Sequence, residues 1–182
     1  KTILNQVRVP VHKKYDVTFV GGFSPHHKEG NNMFEKLAKN IKVDFWGYGV
    51  NYLSPNSPIR KNFHGMAFGK KMYQVFADSK IVINRHIGVA KKNANNMRMF
   101  EATGMGALLM TDHKANMNEF FEVNKEVVTY KTSRDLISKI KKYLNDGRAR
   151  RLIAKRGQAR TLRDHSYQVR MKELNKFLLD VL

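Results

Sequence analysis

Cysteine is absent from the chain, which removes disulfides and thiolate metal ligands at once and fits a reducing compartment. Proline is scarce, with four residues in 182, and the composition argues against a disordered tract. Nowhere does an apolar run approach the roughly 20 residues that a helix needs to cross a bilayer, and no signal peptide is expected at the start. Acidic residues are also few: 15 Asp and Glu stand against 34 Lys and Arg, for a formal net charge of +19. An excess of that sign selects anionic partners, whether phosphates, nucleic acid or acidic headgroups. The apolar fraction of 42%, by contrast, is enough for a real core in one domain of this length. Lys1 is not an initiator methionine, so the expectation is a processed chain or a piece of a longer protein.

Residues 1–15 are polar and irregular and are expected to be a linker leading into a domain over 16–182. Val17–Val20, Val43–Trp46, Ile81–Ile83, Ala107–Thr111 and Val127–Tyr130 have the β-branched, aromatic and apolar composition of buried strands. Between them the pattern predicts helices near 31–40, around Met72–Phe76, from about residue 96, and near 114–122. Thr132 with Asp135 reads as an N-cap, and a further helix follows Asp146. A last helix carries Met171, Leu174, Leu178 and Val181 at i, i+3, i+7 and i+10. Strands alternating with helices predict an α/β fold with a parallel sheet and a C-terminal helical tail.

The most informative stretch runs from Asn95 to Gly106 and into the strand after it. Asn95 or Asn96 can cap a helix, and a helix start carries free N–H groups suited to phosphate. Arg98 would lie in the first turn, where a guanidinium can clamp phosphate through two hydrogen bonds. Glu101, three residues on, shares its face. A cation and a carboxylate beside one anion seat suit a ligand with both phosphate and sugar hydroxyls. The plainer reading is a surface Arg–Glu pair on an amphipathic helix.

Asn96, Arg98, Phe100, Glu101, Ala102, Gly106, Thr111 and Asp112 together resemble the donor-binding helix and strand of the CgeB-like, group-one-like GT-B glycosyltransferases. Asp16–Gly22 resembles the first strand and glycine turn of that domain. Phe63–Gly65, Tyr73–Asn84, Asn124–Tyr130, Gly157-Gln158 and His165–Tyr167 continue the likeness, which covers roughly residues 14–182. The resemblance implies a Rossmann-like parallel sheet with flanking helices, one half of a GT-B fold. It implies that Gly21, Gly22, Lys28, Asn95, Asn96 and Arg98 hold the diphosphate of a nucleotide sugar, with His26 and His27 as further candidates in the same loop. Glu101 matches the glutamate that takes the ribose. The glutamate expected eight residues earlier, near the sugar, is replaced by Asn93. Trp46 and Tyr48 are candidates to border the base.

The implied function is donor binding in a retaining-type transferase that passes a sugar to a cell-surface, lipid-linked or protein acceptor. The donor would be UDP- or GDP-linked, no metal is expected, and no catalytic residue is assigned. The acceptor domain would lie on a missing N-terminal part or a partner chain, leaving this chain inactive alone. A non-catalytic nucleotide- or polyanion-binding domain of the same fold is the alternative. Gly21-Gly-Phe-Ser-Pro25 does not fit the dinucleotide fingerprint of oxidoreductases. Aromatics interleaved with basic residues on strands, as in single-strand binders, are lacking, so no specific nucleic acid is expected. Arg148, Arg150, Arg151, Lys155, Arg156, Arg160, Arg163 and Arg170 read as a basic helical face. An anionic membrane surface or a partner domain is its candidate partner, and the expected location is cytoplasmic, with peripheral attachment at the inner membrane face as an option.

Overall fold

Five segments extend side by side: Tyr15–Gly22 (β1), Asp44–Tyr48 (β2), Ser79–Asn84 (β3), Leu108–Asp112 (β4) and Val128–Tyr130 (β5). The structure is a computed structural model that describes residues 3–94 and 96–181. All four strand pairings are parallel, in the order β2-β1-β3-β4-β5. A parallel sheet is covered on both faces, so its inner strands need apolar residues on both. β3 and β4 meet that need. Ile81, Ile83, Leu108 and Met110 pack on one side, and Val82 and Leu109 on the other.

Helices fill the two layers. α1 (Lys28–Ala38) lays Met33, Phe34 and Leu37 on the first face, beside Leu136 and Ile140 of α5 (Ser133–Asn145). α2 (Gly69–Ala77) and α3 (Arg98–Gly104) bring Met72, Val75, Phe76, Met99 and Ala102 to the second. The expected cap is present: Thr132 Oγ1 accepts from the Asp135 N–H at 3.1 Å. Asp146, expected only to precede a helix, also caps it, its Oδ1 accepting from the Ala149 N–H at 2.9 Å. That cap opens α6 (Gly147–Asp164), which is fastened to α3 and the turn after it. Thr161 and Thr103 share a hydroxyl hydrogen bond at 2.6 Å, and Gln158 Nε2 donates to Gly104 O at 2.9 Å. Gly157 sits where α6 meets a backbone: a Cβ there would lie 2.3 Å from Glu126 O.

The segment before β1 packs against the domain. Val7 is buried, and Arg8 exchanges two hydrogen bonds with the Gln74 side chain at 3.0 and 2.8 Å. The helix expected near 114–122 shrinks to one turn, α4 (Met117–Phe120), whose job is to bury Met117 beside Phe121. The last helix, α7 (Tyr167–Val181), forms, yet Met171, Leu174 and Leu178 are exposed. Its apolar stripe is real; nothing among the described residues covers it.

Candidate functional site

β1 ends in Gly21-Gly22 and β3 in Asn84, and because the strands are parallel neighbours both ends open at one edge of the sheet. Ligands of open α/β sheets sit outside that edge. A cavity of about 520 Å³ lies there, floored by the two glycines and walled by α1, the loop after β3 and the start of α3. Gly21 leaves no room for a larger residue: a Cβ there would lie 2.5 Å from the ring of Phe19, which is buried in the core.

Arg98 and Glu101 both line the cavity. Arg98 Nη1 donates to Glu101 Oε2 at 2.9 Å, the Tyr73 hydroxyl lies 3.5 Å from Oε1, and the guanidinium rests 5.4 Å from the Phe76 ring centre. Arg98 Nη1 also touches Met72 Sδ. Side-chain exposures of 26% and 15% make this a half-enclosed pair rather than a solvated one. Neither partner is spent. The three guanidinium N–H groups on Nε and Nη2 remain beyond the Nη1 contacts with Glu101 and Met72, and a carboxylate can accept several further hydrogen bonds.

The helix cap differs from expectation. α3 has seven residues, and its N-cap position is Met97, which supplies no side-chain acceptor. Asn95 lies outside the described residues. Asn96 turns toward the sheet instead: its Nδ2 donates to Asn84 Oδ1 at 3.0 Å, and Asn84 Nδ2 donates to Thr111 Oγ1 at 2.9 Å. This ladder ties the loop to the ends of β3 and β4, leaving Asn96 Oδ1 buried at the cavity without a partner. Lys28 opens α1 but is not on the cavity wall; His27 is. Burial, then the charges of His26 and Arg85, push the His27 imidazole below its ordinary range. Tyr48 lines the cavity, whereas Trp46 is buried in the core, stacked 4.5 Å from the His64 ring.

Two residues of the wall were not singled out from the sequence. Arg85 reaches over Gly30 and donates to Glu29 Oε2 at 2.9 Å. The second, His86, has a side chain with no exposure. Its backbone N–H and its Nδ1 both meet Asp112 Oδ1, at 2.9 and 2.7 Å. Burial pushes the Asp112 carboxyl up, but the bonds from His86, with Lys114 nearby, outweigh it and hold the group below its usual range. An ionised carboxylate only accepts, so Nδ1 carries the hydrogen and Nε2 is the free nitrogen. That Nε2 is buried, unpartnered and on the cavity wall. In the neutral ring it accepts; in the protonated ring it donates. Both placements depend on where β3 stops, and the only sequence signal was the basic loop just beyond a fully apolar strand.

Residues 27–176 match the family described as glycosyl transferase-like. Among curated proteins no match is found. Solved structures that resemble the chain include HepE of Anabaena in complex with UDP-glucose, at 16% identity and a TM-score of 0.72, covering 92% of this chain and 49% of that one. TarM of S. aureus, crystallised as a mutant with Fondaparinux, alpha-GlcNAc-glycerol and UDP, gives 16% and 0.64 over 93% and 37%. The C-terminal domain of LpcC, a glycosyl transferase group 1 family protein of Francisella tularensis, gives 12% and 0.61 over 90% of both chains. At such identities the likeness shows the fold, a Rossmann-like parallel α/β unit matching one half of the GT-B fold. The chain spans less than half of HepE and of TarM.

Proposed function

Because the chain belongs to the glycosyl transferase-like family, we propose that it is the donor-binding half of a retaining-type glycosyltransferase, holding a UDP- or GDP-linked sugar. The observation that carries this reading is the composition of one cavity. Two arginines, a carboxylate and a free imidazole nitrogen converge over a glycine floor at the C-terminal ends of parallel strands. The diphosphate lies over Gly21-Gly22, within reach of Arg98 and Arg85. Glu101 accepts from the ribose hydroxyls while keeping its ion pair, Tyr48 borders the base, and Asn96 Oδ1 accepts from a donor-side hydroxyl. His86 Nε2 faces the sugar–phosphate junction, where it accepts from a hydroxyl or, protonated, donates to phosphate oxygen.

In the transfer itself the bond between the sugar's anomeric carbon and the diphosphate oxygen breaks, and an acceptor hydroxyl oxygen takes its place. The hydroxyl proton is released, and the diphosphate leaves with the bonding pair. Fixed cations aimed at that developing charge stabilise it without reorganising; Arg98 and Arg85 have that role. The acceptor, whether cell-surface, lipid-linked or protein, is bound by a domain beyond this chain. Asn93 stands where a carboxylate near the sugar is expected, so neutral groups contact the sugar there.

Calorimetry with UDP and inorganic pyrophosphate separates the two central residues. Glu101→Ala should weaken UDP by about tenfold or more while sparing pyrophosphate, since charged hydrogen bonds contribute about 1.5–3 kcal/mol. Arg98→Ala should weaken both ligands, because the anion is common to them. A plain surface pair predicts small changes throughout. Unchanged UDP affinity in a folded Glu101→Ala protein overturns the assignment.

A further inference from the structure

A second cavity, of about 460 Å³, opens at the opposite edge of the sheet. Its wall comes from the residues that enter the strands: His12 and Lys13 before β1, Lys80 at the start of β3 and Gly106 just before β4, with Arg150, Arg151 and Lys155 from α6. Five permanent cations therefore face one space, and no carboxylate lines it. One acid reaches in from outside, Asp16, which pairs with Lys80 at 2.5 Å.

Two of the other cations are held without being neutralised. Lys13 Nζ donates to Ala77 O at 2.6 Å, and Arg150 Nη1 donates to Tyr143 O and Leu144 O at 2.8 and 3.2 Å. Carbonyls fix the position of a cation and leave its charge in place. The side chains of Arg151 and Lys155 make no hydrogen bond or ion pair among the described residues. Burial, only partly offset by Asp78, pushes the Lys13 ammonium below its ordinary range. Burial and the neighbouring Arg151 charge, partly offset by Asp16 and Asp146, do the same to Arg150. Lys80 apart, the lining cations have no carboxylate in an ion pair with them among the described residues.

We propose that this cavity is a binding site for a phosphate monoester, with Arg151 and Lys155 closing on the phosphate over the fixed charges of Lys13, Lys80 and Arg150. A guanidinium fork matches two phosphate oxygens, and ammonium groups take the others as point charges. The cavity is open, so the stem of the phosphate can leave toward solvent, whether the phosphate is free or presented by a lipid. It is independent of the nucleotide cavity, with which it shares no wall residue.

Glycerol 3-phosphate and phosphatidylcholine vesicles containing phosphatidic acid test it, since the two probes carry the same headgroup and differ in the bilayer. Calorimetry and vesicle sedimentation are run on the wild type, on Arg151→Ala/Lys155→Ala and on Arg98→Ala. Binding of either probe should fall by about tenfold or more in the double variant and persist in Arg98→Ala. Binding of glycerol 3-phosphate identifies a soluble ligand; binding of vesicles alone identifies a lipid. Should the double variant fail to fold, Lys80→Ala takes its place, with the same loss expected. No binding of either probe, unchanged binding in the folded variants, or loss confined to Arg98→Ala overturns the proposal.

Discussion

Asp112 shows how one side chain sets the state of its neighbours. Its Oδ1 takes both the backbone N–H and Nδ1 of His86, and Lys114 Nζ stands 3.3 Å from Oδ2. Folding lowers its pKa, so the stability it supplies is present above the ordinary carboxylate range of about 4 and is lost as pH falls through the lower folded value. Asp112→Asn should cost about 1.5–3 kcal/mol near neutral pH, the scale of hydrogen bonds to a charged group. The gap from wild type should close in strong acid, as denaturant melts across a pH series would show; a gap that stays constant into acid refutes the linkage. Thr111-Asp112 was legible as the end of a strand, because polar residues follow an apolar run. Its partner was not, since His86 lies 26 positions away and meets it only once β3 and β4 pair.

At the scale of elements, the strands were the easiest to read. Ile81–Ile83 and Leu108–Met110 are continuous apolar runs, as a doubly covered sheet demands, and the caps at Thr132 and Asp146 follow from local hydrogen bonding alone. Helix lengths were harder: α3 closes after seven residues because α6 packs on its end through Thr161 and Gln158, a contact between distant segments. The stripe of α7 was legible, but a stripe does not name the surface that covers it. Gly157 measures how tightly α6 is docked. Gly157→Ala forces a methyl against the Glu126 carbonyl, an overpacking that costs about 1–3 kcal/mol, although alanine is the better helix former. Urea unfolding should show a lower midpoint at unchanged slope; a more stable variant would mean that α6 can slide.

For the whole molecule, the net charge of +19 is not a uniform coat, because a parallel sheet gathers its strand beginnings at one edge and its strand ends at the other. The charge pointed to anions but not to where they would sit. β3 connects the two cavities, with Lys80 in one wall and Asn84 in the other. Four residue steps along a strand span roughly 13 Å. That distance exceeds the Debye length of about 8 Å at physiological ionic strength and falls well inside the 30 Å or so of 0.01 M salt. Two anions held at the ends of β3 are therefore screened from each other in one medium and mutually repelled in the other. UDP affinity should be indifferent to glycerol 3-phosphate at physiological salt and should weaken with it in dilute buffer. Coupling of equal size in both would require a mechanical link through the strand, so the ionic strength of the medium decides whether the two ends of β3 act as one site or two.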